Sequence, residues 1–531
     1  MVRKWKKKIQ SLSLFSRTGD LNQKMAKKSI AKNYIYNMIY QVLILVLPLV
    51  TTPYLSRVLG AEGIGIYGYT YSIVTYFILF GSLGVAMYGQ REIAYAQENI
   101  EARKKVFIEI IIFRFISIAL ASIAYFFLFM NGKEYQIYYQ ILLIELIAAA
   151  FDISWFFQGM EEFKRTVTRN VLVRICSVSL VFILVKTKED LAKFVLIYSL
   201  ADLIGNLSLW LYVPKYIKGV KVKNINVLRH LPQIMLLFIP QIANQIYKIL
   251  DTTMIGTLVE NKTETGYYEQ GQKVIRLLLT IVTSLGVVMV PRMASTYASG
   301  DNEKIKNYMK MSFKFVFFLA FPIMFGIISI SRAFVPVFFG AGYDKVVILI
   351  NIISPILILM GMGNVLGTQY LLPTKKQKEY TLSVAIGLGA NFILNYFLIK
   401  QYASIGASIA TVLSEFVIVV IQFQYIKKDI PFKELLKISW KYFTSGLVMF
   451  ISCFGVRLLL STKIINTAFV NLGNSIGIGL ENLFNVTSII TQMGIGALIY
   501  FVMLIILKDD YVFKFIDKLK SKIFKKKVVS E

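Results

Sequence analysis

The sequence predicts an all-α polytopic membrane protein with about 14 transmembrane helices, and three observations predict it. Hydrophobic residues make up 56% of the 531 residues and charged residues only 17%, whereas a soluble chain carries roughly 25% charge. The apolar residues gather in stretches near the length of about 20 that crosses a bilayer. Basic residues concentrate in every second loop. This composition excludes a disordered chain. The 59 lysines and arginines against 30 acids give a net charge of +29. On a soluble protein that excess would point to nucleic acid. On an apolar chain it predicts loops held in the cytoplasm beside anionic lipid. Cys176 and Cys453 lie in apolar runs, so neither a disulfide framework nor a zinc site is expected. The single histidine, His230, removes most histidine-based catalysis and metal chemistry.

The expected spans are 33–57, 64–89, 106–130, 135–158, 170–185, 191–213, 232–258, 267–290, 311–334, 346–372, 380–399, 403–425, 442–460 and 487–507, with 170–185 the shortest. Residues 1–32 are basic and lack an apolar region of their own, so no cleavable signal is expected. Met25 reads equally well as a start, which makes 1–24 an expected upstream extension. With the N-terminus in the cytoplasm, the cytoplasmic segments hold 42 lysines and arginines and the external loops hold 7. That is the bias of the positive-inside rule. One missed or surplus span would invert every later loop. Both termini are therefore expected inside, in a multi-pass protein of the cytoplasmic membrane. The largest external loop, 461–486, is polar and too short for a catalytic domain.

Polar groups at bilayer depth are costly, so each needs a reason. Taken in order, span 1 places Asn33, Asn37, Tyr40 and Gln41 on one face, then Pro48 and Pro53. Span 2 opens with Tyr67, Tyr69 and Tyr71, and Tyr76 follows. Spans 3 and 5 carry Arg114 and Arg174. Span 4 has Glu145 and Asp152, seven residues apart and so on one face. Span 6 has Asp202. Span 7 carries the clearest stripe: Gln241, Asn244, Gln245, Lys248 and Asp251 recur at steps of three and four behind Pro240. Pro48 and Pro240 are the expected hinges. Span 8 adds Lys273 and Arg276, and span 12 has Glu415. "GMGNVLG" at 361–367 reads as a helix segment whose small residues permit close packing or bending.

The functional reading is a watery cavity lined by cations and amides, suited to an anionic, hydroxyl-rich substrate. The plain alternative is that these charges pair: Lys248 with Asp251, and Arg114 or Arg174 with Asp152 or Glu145. Tyrosines near span ends also suit the interfacial belt. No Walker-type glycine loop is present, so ATP hydrolysis and cofactors are not expected.

The chain also repeats itself. "SLGVAM" at 82–87 returns as "SLGVVM" at 284–289, and "GIYGY" at 65–69 is echoed by "GYYEQG" at 266–271. These echoes suggest two parallel six-span halves with a site between them. The expected organisation is a basic segment 1–32, a first half 33–213, a second half 232–425, a helix pair 442–507 and a basic tail 508–531.

The stretch 33–94, "NYIYNMIYQVLILVLPLVTTPYLSRVLGAEGIGIYGYTYSIVTYFILFGSLGVAMYGQREIA", resembles the N-terminus of the Wzx-type polysaccharide flippases. These belong to the multidrug/oligosaccharidyl-lipid/polysaccharide exporter superfamily. Residues 247–295 are similar to the start of that family's second half, and the likeness covers nearly all of 25–510. The resemblance implies fourteen helices in two bundles that carry undecaprenyl-diphosphate-linked oligosaccharide to the outer leaflet by alternating access, for capsule or other surface polysaccharide. It implies that the family's cavity cations fall at Lys273 and Arg276, then at Arg57, Arg114 and Arg174. Lys248, Asn244 and Gln241 complete the expected substrate set, and Asp251, Asp152 and Glu145 are the candidates for proton or sodium coupling. A polymerase and glycosyltransferases are expected partners, and nucleic acid is not. The rivals are a lipid II flippase, a drug/cation antiporter of the same superfamily, and a membrane polymerase or glycosyltransferase. Acids would dominate an antiporter's cavity, and an enzyme would place charged residues in a large external loop, where 461–486 has only Lys463 and Glu481.

Overall fold

The computed structural model describes residues 46–132, 134–219, 224–427, 429–460 and 480–513. Side chains of 239–241, 243, 244 and 480–482 fall outside that description. So do the basic segment 1–32, the polar face of span 1, the segment 461–479 and the tail from 514.

The described residues form helices and no strands. A helical run, α1, covers Val46–Tyr95. After it come α2 (Ile100–Phe129), α3 (Gln136–Phe151), α4 (Ser154–Gly159), α5 (Phe163–Leu184) and α6 (Leu191–Trp210). Then follow α7 (Leu231–Leu258), α8 (Thr263–Thr283), α9 (Gly286–Ala298), α10 (Asn302–Phe339), α11 (Asp344–Ile353) and α12 (Ile356–Gly363). A π-helix, Asn364–Leu371, leads to α13 (Gln377–Tyr402), α14 (Ser404–Gln424), α15 (Phe432–Leu460) and α16 (Leu480–Ile506). Among the described residues, 11 helices are long and apolar enough to cross a membrane, or 12 if α8 and α9, bent by 42°, form one span.

The fourteen expected spans map onto these elements unevenly. Two of them, 33–57 and 64–89, share α1. Gly60 there has φ 69°, and Leu83 and Gly84 have φ 46° and 74°, so the chain turns at the expected boundary and again near residue 84. Span 7 is helical throughout as α7. Span 5 is longer than expected, 22 residues, because Arg169 is accommodated inside the protein by Asn206 and Ser154. Span 4 breaks at Asp152, whose carboxylate accepts the Ser154 N–H at 2.9 Å and so starts α4.

Two compact units divide the chain: residues 1–52 with 74–239, and 53–73 with 240–531. The core of the first gathers Tyr88, Ile93, Phe107, Ile110, Trp155, Phe156, Phe157 and Leu209. Gly89 exists to let Trp155 in, since a Cβ there would lie 2.5 Å from the indole. The core of the second runs through α8, α10, α11 and α12 and includes Ala61 of α1. Large apolar side chains stand exposed along the helices, among them Phe127, Leu120, Ile183, Ile204 and Leu498. A water-soluble protein does not carry so many, and lipid is their solvent.

The internal repeat has a structural counterpart. Each "SLG" copy coincides with a helix break, at 83–84 and at 284–285. Within the second unit the two glycine echoes meet. A Cβ on Gly65 would lie 1.8 Å from the Lys262 carbonyl oxygen, and one on Gly266 would lie 1.9 Å from the Ala61 carbonyl oxygen. The two contacts mirror each other, so α1 and α8 cross with backbone against backbone, which only glycine allows.

Candidate functional site

The polar stripe of α7 leads to a buried cluster in the second unit. Asp251 is 6% exposed. Its carboxylate accepts hydrogen bonds from Asn395 Nδ2 at 2.6 Å, from Thr411 Oγ1 at 2.8 Å and from the Tyr268 hydroxyl. Tyr268 in turn accepts from Gln272 Nε2 at 2.7 Å and lies 3.1 Å from Thr411 Oγ1. Asn391, one helical turn before Asn395, accepts from it at 3.0 Å. Glu415, one turn after Thr411 and also buried, adjoins Tyr247 and Asp251. Four helices therefore converge: α7 brings the acid, α8 the tyrosine, α13 the amides, α14 the threonine and a second acid. All three of these donors to the carboxylate are uncharged. Lys248, one turn away, is exposed and makes no ion pair with it among the described residues.

Beside this cluster sits a set of cations. Arg276 reaches from α8 to α7 and donates to the Lys248 carbonyl at 3.2 Å. Lys273 is half-buried and close to Glu269, which accepts the Thr252 hydroxyl. Lys248, Lys273 and Arg276 thus lie on adjoining turns of two packed helices, with Gln245 exposed one turn before Lys248. Gln241, Asn244 and Pro240 belong to the same helix, and their side chains lie outside the described ones.

The other expected residues are placed elsewhere. Arg57 donates to the Val337 carbonyl at 2.6 Å and to Pro53 at 3.1 Å, which caps the C-terminal turn of α10. In the first unit, Arg114 is buried, donates to the Ala149 carbonyl at 2.7 Å and pairs with Asp152 at 3.6 Å. Arg114 thereby satisfies a carbonyl at the broken end of α3, as Asn206 does at Ala148 and Trp210 at Phe151. Glu145 is buried in α3 facing Ser199 and Asp202 of α6. Arg174 lies 5.9 Å from the Tyr198 ring, near Asp202. Pro48 stands in the first turn of the described part of α1.

Tyr268, Gln272, Asn391, Asn395 and Thr411 were not singled out by the sequence. Their only signal was spacing of four on three apolar helices, which many packed polar residues share.

The family described as "Polysaccharide biosynthesis protein" matches residues 30–297. The chain belongs to this family. The family described as "MatE" matches residues 237–397 of the same chain. A putative O-antigen transporter of Escherichia coli (strain K12) is 26% identical over 76% of this chain and 98% of its own length. A probable low-salt glycan biosynthesis flippase of Haloferax volcanii is 23% identical over 64% of this chain and 71% of its own. Among solved structures, a lipid II flippase in an inward closed conformation superposes with a TM-score of 0.66 and 17% identity, covering 90% of this chain and all of that one. An inward-facing multidrug resistance transporter of the MOP superfamily gives a TM-score of 0.56 at 15% identity, covering 76% and 99%. This family member therefore has the MOP transporter fold and is a multi-pass membrane protein.

Proposed function

We infer that this protein flips lipid-linked oligosaccharide across the bacterial cytoplasmic membrane for surface polysaccharide synthesis. The observation that carries the reading is the trio Lys248, Lys273 and Arg276 on two packed helices of a chain matched to polysaccharide transporters. Cations inside a membrane need an anion. An undecaprenyl diphosphate headgroup supplies one, and lysine and arginine bind it through charged hydrogen bonds. Amides such as Gln245 suit the sugar hydroxyls, and the prenyl tail stays in lipid. The full reading keeps fourteen spans in two six-helix halves plus a terminal pair, both termini cytoplasmic, and transport rather than catalysis. Asp251 is the group we assign to ion coupling, because it is buried and its hydrogen-bond donors are uncharged. Polymerase and glycosyltransferases act before and after the flip.

Deleting the gene and identifying the lipid-linked glycan that accumulates on the inner leaflet tests the function. Complementation with Lys273→Ala/Arg276→Ala at normal protein abundance tests the site. Wild-type levels of surface polysaccharide from that variant would sink the cationic site. A second reading, an antiporter of organic cations, draws on the buried acids Asp251 and Glu415. It requires cation efflux in vesicles and no glycan accumulation in the deletion strain.

A further inference from the structure

Four arginines within or beside the spans are bonded to the protein itself. Arg57 and Arg276 bond backbone carbonyls, Arg114 bonds a carbonyl and pairs with Asp152, and Arg169 bonds Asn206 and Ser154. Arg332 of α10 and Arg457 of α15 differ. Among the described residues, neither makes a hydrogen bond or an ion pair.

The two face each other. Helices α10 and α15 run parallel and in contact: the Phe321 and Phe443 rings lie 5.6 Å apart, and the Phe325 and Phe450 rings 5.7 Å apart. Seven residues beyond that second pair, on the same two helix faces, stand Arg332 and Arg457. Each lies within electrostatic reach of the other. Arg332 is exposed and Arg457 half-buried. Beside Arg457, Phe454 and Leu458 are 55% and 56% exposed, which marks a face turned to lipid. Arg332 and Arg457 fall two and three residues inside the outer ends of the expected spans 311–334 and 442–460. From that depth a long side chain reaches the level of the lipid phosphates. We propose that Arg332 and Arg457 form a site for the phosphate of an anionic phospholipid in the outer leaflet.

A lone arginine at a span end snorkels to water and needs nothing more. Two that face each other repel, and they do so more strongly at the low-dielectric edge of the bilayer than in bulk water. An anion shared between them removes the repulsion and accepts charged, bidentate hydrogen bonds from both guanidinium groups. The external segment that follows α15, 461–486, offers a single acid, Glu481. The two cations also stand on the side where the chain is otherwise poor in them, since the external loops hold 7 lysines and arginines against 42 in the cytoplasmic segments. A phospholipid suits the place: its acyl chains cover Phe454 and Leu458 while its phosphate meets the arginines. The leaflet follows from the fourteen-span orientation, and binding in detergent does not depend on it.

The test uses the full chain, delipidated in a neutral detergent, and reads Tm on adding phosphatidylglycerol or, as the net-neutral reference, phosphatidylcholine. We expect phosphatidylglycerol to raise the wild-type Tm by about 2–4 °C more than phosphatidylcholine does. Arg332→Gln/Arg457→Gln should lose at least about half of that difference, and native mass spectrometry should show less phosphatidylglycerol retained by it than by wild type. Lys375→Gln/Lys378→Gln, which removes the same charge from exposed positions elsewhere, should keep the difference. Without lipid the arginine variant should melt no lower than wild type, because it relieves a repulsion and breaks no bond. Equal stabilisation by the two lipids overturns the proposal. So does loss of the difference in the lysine control, which would reduce the effect to net charge. A lower Tm of the arginine variant without lipid also overturns it, and an equal loss in Glu481→Gln would identify that acid as the partner. A shift from undecaprenyl diphosphate at concentrations where phosphatidylglycerol gives none overturns the phospholipid and gives the pair to the carried lipid.

Discussion

Arg114 lies in an apolar helix and Asp152 at the break after another, and each answers the other's charge at 3.6 Å. Arg114 is buried and Asp152 is 29% exposed, so removing Arg114 costs at most about 3–5 kcal/mol, the figure for a fully buried pair, because the remaining charge is stranded. Arg114→Ala should therefore lower the Tm of the purified protein sharply. Adding Asp152→Asn should recover part of the loss, and strict additivity of the two changes would contradict the pairing. Transport per folded molecule should change less for Arg114→Ala than for Lys273→Ala/Arg276→Ala, measured as surface polysaccharide normalised to membrane abundance. Both pairs read alike in the sequence as intramembrane charges. They differ only in what faces them, and for Arg114 that partner is 38 residues away, at the break after α3. Asp251 was legible as a buried acid on a polar stripe. Its partners were not, because Asn395 and Thr411 lie 144 and 160 residues further along.

At the level of elements, the repeated hexapeptide and the glycine echo were visible as strings. Their meaning lies in the helix breaks at 83–84 and 284–285 and in the crossing at Gly65 and Gly266. The crossing makes a sharp prediction. A Cβ at either glycine would lie under 2 Å from a backbone oxygen, and backbone cannot move aside as a flexible side chain can. Gly65→Ala and Gly266→Ala should each reduce the monodisperse yield severely, judged by size-exclusion chromatography in detergent. Because the two contacts mirror each other, the losses should be of similar size. Gly389, with open space around it, is the control: Gly389→Ala should leave yield unchanged, since alanine favours helix by about 1 kcal/mol. Span 5 shows the opposite limit of sequence reading. Its polar start, Lys164 to Arg169, hides a helix turn that the protein itself neutralises.

For the whole molecule, loop charge predicts orientation. A periplasm-active reporter fused after residue 470 should be active, and one fused at the C-terminus should be inactive, with a cytoplasmic fluorescent fusion giving the reverse. An active reporter at the C-terminus would refute the fourteen-span reading. Membrane residence and the approximate place of most helices followed from the sequence alone. Transfer of apolar residues into lipid depends on local composition and length, not on which residues meet in space. The tertiary structure decided which side chains each intramembrane charge meets. It paired Arg114 with Asp152, set Arg57 against the end of α10, wrapped Asp251 in uncharged donors and left Lys248, Lys273 and Arg276 on adjoining turns. A charge inside a membrane is neutralised by whatever packs against it, and packing joins residues that no local pattern connects.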